Sequence, residues 1–212
     1  MANPRTRIYL VRHGETASNV TQRFRGRADI PLNERGRKQI RLLADALNCV
    51  PFSAVYSSPL SRSMETAEAI ALTRCLEVQP HPAFQNIDLG EWTDRPKSEI
   101  QEEYPELWKE WNDSPEGIQL PGGEKVSGVR ERSFRGLERL CENHRGETFA
   151  IVSHRAVLKP LCAAILGMDA PYFWRLHLDT AGYSVFERGD KGYILRHFNQ
   201  TSHLNGHAGE SF

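Results

Sequence analysis

The chain has 212 residues, 39% of them hydrophobic, which suits one substantial globular domain with room for an inserted segment. Lys and Arg number 27 and Asp and Glu number 27, so no bulk charge recommends a nucleic acid or an anionic membrane as partner. Any preference for anions must come from local arginines. Residues 1–7 are polar and lack an apolar leader core, and no apolar run reaches transmembrane length, so a cytoplasmic protein is expected.

Taken in chain order, the elements alternate strand and helix. Arg7 to Arg12 reads as a continuous apolar strand, with Arg12-His13-Gly14-Glu15-Thr16 at its carboxyl end. Asn33 is a cap for a helix through Ile40, Leu43 and Leu47. Ala54 to Tyr56 is a short strand. Ser58-Pro59 is expected to open a second helix, with Leu60, Met64, Ala67 and Ala71 as its apolar stripe. Leu76 to Gln79 is a third strand. From 81 to 123 the pattern breaks into Trp-, Pro- and acid-rich sequence with one helix near Glu99 to Trp111, and this segment is expected to pack as a cap over one end of the sheet.

Lys125 to His144 then reads as a long helix with Val126, Val129, Leu137 and Leu140 inward, followed by a strand from Glu147 to Ser153 and a helix from Ala156 to Leu166. Tyr183 to Glu187 and Tyr193 to Phe198 flank a hairpin turn. A loose tail is expected over 204–212. The sum is one α/β domain, a three-layer α/β/α sandwich with a mostly parallel central sheet and an antiparallel edge. Cys49, Cys75, Cys141 and Cys162 are scattered and unpaired in spacing, which reads as four buried free thiols in a reducing compartment.

Chemistry in such folds collects at the carboxyl ends of parallel strands. Three ends matter here. The first presents Arg12 and His13. The second presents Ser57-Ser58-Pro59-Leu60-Ser61-Arg62, and the third Ser153-His154-Arg155. Parallel strands would bring two arginines and two histidines to one sheet edge, beside helix N-termini that favour anions. Arginine's planar fork suits a phosphate monoester in geometry and charge. A neutral imidazole can attack phosphorus and so split one hard displacement into two easier ones. Neighbouring guanidinium charges oppose protonation of His13, and a carbonyl on its other nitrogen would keep the attacking nitrogen bare. His154 would stabilise the phosphoryl oxygens as charge develops.

Arg12-His13-Gly14-Glu15-Thr16 with Asn19 resembles the signature of the histidine phosphatase (phosphoglycerate-mutase-like) superfamily. The likeness continues through Gly26-x-x-Asp29-Ile30-Pro31-Leu32-x-x-x-Gly36, Ser57-Ser58-Pro59-Leu60-x-Arg62-x-x-x-Thr66-Ala67 and Pro121-Gly122-Gly123-Glu124. Val152-Ser153-His154 and Asn199-x-Thr201-x-His203-Leu204 complete it, so it spans nearly the whole chain. The resemblance implies a nucleophile at His13 and a phosphate clamp of Arg12, Arg62 and His154. It lines the pocket with Asn19 and, more weakly, Thr16, and it implies no metal or other cofactor. It also implies a small phosphorylated metabolite as partner, a branch 1 metabolite phosphatase as the type, and a homodimer. Phosphotransfer of the mutase kind is the alternative. It is disfavoured by Ser63-Met64-Glu65 and Asp94-Arg95-Pro96, where mutases carry longer basic motifs.

One departure bears on mechanism. Where the family has a Glu that protonates the leaving oxygen, this chain reads Asn86-Ile87-Asp88-Leu89-Gly90-Glu91-Trp92. An amide donates a hydrogen bond but cannot deliver a proton, and loss of a general acid costs roughly 10²–10⁴-fold. Three readings stand side by side: Asp88 or Glu91 substitutes; the protein is a slow phosphatase or a non-catalytic phosphate-ester-binding regulator; or Asn86 is a natural or engineered variant of an active enzyme. Arg23, Arg25 and Arg27 either reach a substrate carboxylate, with Arg25 the candidate, or form a solvated face. Arg155 is expected to point to solvent. Trp92, Trp108 and Trp111 either wall the pocket or pack. His81, His144, His177, His197 and His207 show no zinc-ligand spacing.

Overall fold

The computed structural model describes residues 5–206 except 22 and 73. Its single sheet has six strands: β1 (Thr6–Arg12), β2 (Ala54–Ser57), β3 (Val78–Pro80), β4 (Thr148–Ser153), β5 (Tyr183–Gly189) and β6 (Gly192–Gln200). The order is β3-β2-β4-β1-β5-β6. β1 pairs with β4, β4 with β2 and β2 with β3 in parallel. β5 and β6 extend the β1 edge antiparallel. The helices are α1 (Ala17–Val20), α2 (Glu34–Ala46), α3 (Ser61–Leu72), α4 (Lys97–Glu103), α5 (Pro105–Asp113), α6 (Val126–Asn143) and α7 (Arg155–Ile165).

The central strands β1, β2 and β4 are apolar on both faces because both faces are covered, whereas the edge strands β3 and β6 are partly exposed. Ile8 and Leu10 of β1 meet Leu137, Leu140, Leu158 and Leu161 from α6 and α7. Their alternates Tyr9 and Val11 meet Leu43 of α2 and Ile70 of α3. A third cluster joins Ile87, Leu89, Trp92, Ile100 and Trp111 from the 81–123 segment to Val126, Val129 and Val157 of α6 and α7. Register levels the strand ends: Arg12 lies opposite Ser153, and Ser57 opposite Val152. The residues that follow these strands therefore emerge side by side.

Several local expectations shift. α3 begins at Ser61, not at Pro59. The Asp29 carboxylate accepts from the Ser61 N–H at 2.8 Å and its hydroxyl at 2.7 Å, so a remote loop supplies the cap while Ser58 points elsewhere. The single helix expected over 99–111 is two, broken at Tyr104 because Pro105 excludes the preceding residue from helical geometry. Only Cys141 and Cys162 are buried; Cys49 and Cys75 are exposed, each just past the end of a helix where the chain turns at the surface. Leu204, placed in the expected tail, is fully buried among the residues over α2 and α3, whereas 207–212 and the candidate His207 lie outside the described residues. Among the described residues no helix is long and apolar enough to cross a membrane.

Candidate active site

His13 follows β1 directly and is 2% exposed. The loop that carries it is held from below: the Gly14 N–H donates to Thr66 Oγ1 at 3.2 Å, and the Glu15 N–H to Gln39 Oε1 at 2.9 Å. The loop also lies against α2 so closely that a Cβ on Gly36 would stand 2.1 Å from the Glu15 carbonyl oxygen. The His13 Nδ1 is 2.6 Å from the Gly14 carbonyl oxygen. A carbonyl only accepts, so Nδ1 carries the proton and Nε2 keeps its lone pair. Burial, foremost, and then His154, Arg62, Arg12 and Arg25 push the His13 pKa well below the ordinary 6.5. The ring is therefore neutral at neutral pH, as a nucleophile must be.

The second histidine stands beside it, ring centroids 5.0 Å apart. His154 Nε2 lies 2.7 Å from Ser58 Oγ. That hydroxyl oxygen also accepts from the Leu60 N–H at 3.4 Å, so its own proton is available to Nε2. Ser63 Oγ lies 3.4 Å from the same Nε2. With Ser58 donating to Nε2, the ring proton of His154 sits on Nδ1, which is buried without a hydrogen-bond partner in a residue that lines the cavity, and which can then donate to a phosphoryl oxygen. Burial, then Arg62, Arg25 and Arg12, hold the His154 pKa well below 6.5 as well.

Arg12 and Arg62 are 1% and 0% exposed. Arg12 Nη1 donates to the Leu178 carbonyl at 2.6 Å, and Arg62 Nη1 to the Ala28 carbonyl at 2.8 Å, which fixes both forks. Burial lowers the Arg62 pKa to about 10, which still leaves a full cation at neutral pH. Asn19 lines the same cavity, its amide oriented by Thr16, whose N–H and hydroxyl both donate to Asn19 Oδ1. Thr16 itself is fully buried behind Asn19 and does not line the cavity. Arg25 lines it.

Asn86 lines the cavity, 7% exposed. Its Nδ2 donates to the Gly26 carbonyl at 2.6 Å, and its Oδ1 is buried without a partner. Its backbone carbonyl is gripped by two guanidiniums, Arg27 at 3.3 Å and Arg132 at 3.4 Å. The expected substitute acids are elsewhere. The Asp88 carboxylate is 3.3 Å from Arg27 and accepts from the Gly90 N–H, and Glu91 accepts from the Tyr104 hydroxyl; neither lines the cavity. Among the described residues that line it there is no Asp or Glu at all.

The cavity has a volume of about 260 Å³, just under the ~300–1,000 Å³ usual for small-molecule sites. Arg155, the first residue of α7, is half-buried and lines the cavity, so it is not wholly given to solvent. Trp108 and Trp111 form walls, whereas Trp92 is fully buried and packs. Of the basic stretch, Arg23 and Arg25 line the cavity and Arg27 does not. Other contributors carry no sequence signal: Ser58, in a helix-cap pattern, instead holds His154, and Phe24, Lys97, Phe173 and Trp174 reach the cavity through spatial contact alone. Among the described residues no group of three or more His, Cys, Asp or Glu side chains is placed to hold a metal ion.

Residues 8–201 match the family described as the histidine phosphatase superfamily (branch 1). The chain is 35% identical to phosphoserine phosphatase 1 of Hydrogenobacter thermophilus, over 93% of this chain and 94% of that protein. It is 32% identical to the adenosylcobalamin/alpha-ribazole phosphatase of Escherichia coli, over 91% and 95%. The solved structure of YhfR from Bacillus stearothermophilus superposes with a TM-score of 0.90 at 30% identity, covering 94% of this chain and 99% of that one.

Proposed function

This chain belongs to the histidine phosphatase superfamily (branch 1) and is a phosphoric monoester hydrolase, and we propose that it cleaves a small phosphorylated metabolite through a phosphohistidine on His13, without a metal. The observation that carries the reading is the Nδ1 contact of His13 with the Gly14 carbonyl, which leaves Nε2 bare among cationic neighbours. In the first half-reaction the Nε2 lone pair forms a bond to phosphorus, and the ester oxygen leaves with its electron pair. Arg12, Arg62 and the Nδ1–H of His154 receive the charge on the phosphoryl oxygens. In the second, water attacks phosphorus, the P–N bond breaks, and the imidazole recovers its pair. The proton that water gives up balances the one the departing alcohol takes.

Asn86 leaves this scheme without a carboxyl donor, which supports a slow enzyme whose rate depends on the acidity of the leaving alcohol. A cytoplasmic setting and a homodimer complete the reading, from the reduced-thiol argument and the family resemblance respectively. The test is phosphate release from p-nitrophenyl phosphate and a panel of phosphorylated metabolites, in the presence of a chelator. His13→Ala is expected to lower the rate by a factor on the order of 10³ or more. A variant that keeps a tenth of the rate, or an enzyme that the chelator silences, would contradict the reading.

A further inference from the structure

Beyond the phosphoryl cradle, the cavity is walled by Phe24, Trp108, Trp111, Phe173 and Trp174. Their rings touch in series: Phe24 and Trp111 at 5.5 Å, Trp111 and Phe173 at 6.0 Å, Trp111 and Trp174 at 6.3 Å, Phe173 and Trp174 at 5.0 Å, all edge to face. Trp174 nevertheless keeps 39% of its surface exposed at the mouth.

The wall is fixed from behind. The buried Glu116 carboxylate accepts the Tyr172 and Phe173 N–H groups at 2.6 and 2.7 Å. The Trp174 indole N–H donates to the Trp111 carbonyl at 2.9 Å. Lys159, 1% exposed, sets its ammonium 4.8 Å and 4.9 Å from the Phe173 and Trp174 ring centroids. Rings held this way lose little freedom when a ligand arrives, which is how a surface is organised for binding. Charge points the same way. With no carboxylate among the described residues that line the cavity, an ammonium group on a substrate would meet Arg12, Arg25 and Arg62 with no counter-charge.

We propose that the site takes phosphomonoesters whose leaving group carries an aromatic ring and no ammonium group. The inference rests on the phosphatase reading and names its substrate class. It separates this chain from what the name of its phosphoserine-cleaving relative describes, since phosphoserine carries an ammonium and no ring.

Binding and turnover are measured separately, so that the two readings fail separately. Affinities for benzylphosphonate, ethylphosphonate and 2-aminoethylphosphonate are compared by calorimetry; none of the three can be hydrolysed. The benzyl compound is expected to bind about tenfold more tightly than the ethyl one, and the aminoethyl compound at least fivefold more weakly than the ethyl one. Trp174→Ala should cut the benzyl advantage to about threefold or less. Turnover of benzyl and ethyl phosphate, whose alcohols differ little in acidity, should follow the same order. Equal benzyl and ethyl affinities, or an aminoethyl compound that binds as well as the ethyl one, would overturn the inference even if all the esters are cleaved. Binding in the expected order with no turnover would uphold the subsite and overturn the phosphatase reading instead.

Discussion

His13 and His154 stay uncharged at neutral pH because both are buried and share cationic neighbours, and this makes the fold sensitive to acid. In the unfolded chain each ring takes a proton at its ordinary pKa of 6.5; in the folded chain it does so only at lower pH. Below 6.5 the unfolded state therefore binds more protons, and stability falls by up to about 1.4 kcal/mol per pH unit for each ring. Urea midpoints measured from pH 7.5 down to 5.5 should drop, and His13→Gln with His154→Gln should lessen that slope, the remainder coming from His81 and His203, which burial also holds below 6.5; a wild-type midpoint that is flat over this range would contradict the assignment. Asn86 invites a kinetic test. Aryl phosphates need little help from an acid, so they should be cleaved far faster than alkyl phosphates. Asn86→Glu should narrow that gap by roughly 10²-fold or more. Equal aryl and alkyl rates in the unmodified chain would show that another group already donates the proton. At this scale the sequence was most legible at strand ends. Arg12, His13, Arg62 and His154 follow apolar runs, whereas the role of Ser58 depends on where His154 lies and no local pattern reveals it.

Among the elements, the β1 loop is seated closely on α2. Gly36 is the third residue of α2, and a Cβ there would meet the Glu15 carbonyl oxygen at 2.1 Å and the Glu15 nitrogen at 2.8 Å. Both are backbone atoms, so one element must move. Gly36→Ala should cost about 1–3 kcal/mol in denaturant-measured stability and lower activity by displacing the loop that aims His13. A change of less than about 0.5 kcal/mol would show that the loop yields freely. Element type was readable where periodicity was strong, as in α2, α6, β1 and β4. Boundaries were missed at two places: Asp29 caps α3 from another loop, and Pro105 divides from within what helical spacing alone joins.

Across the whole molecule, four parallel strands and an antiparallel pair deliver three loops to one edge, and the 81–123 segment contributes Asn86, Trp108 and Trp111 to the same cavity. The architecture was legible because alternating strands and helices admit few arrangements. The cavity's far wall was not, because Phe24, Trp111 and Trp174 meet only through tertiary contact over about 150 residues of chain. The account turns on one bond, between phosphorus and His13 Nε2. Rapid quenching of the enzyme with p-nitrophenyl phosphate into alkali, followed by peptide mass spectrometry, looks for that bond directly. The expected result is an acid-labile, alkali-stable phosphoryl group on His13, absent from His13→Ala. Steady turnover with a phosphoryl group on another residue, or with none trapped at any quench time, would contradict it.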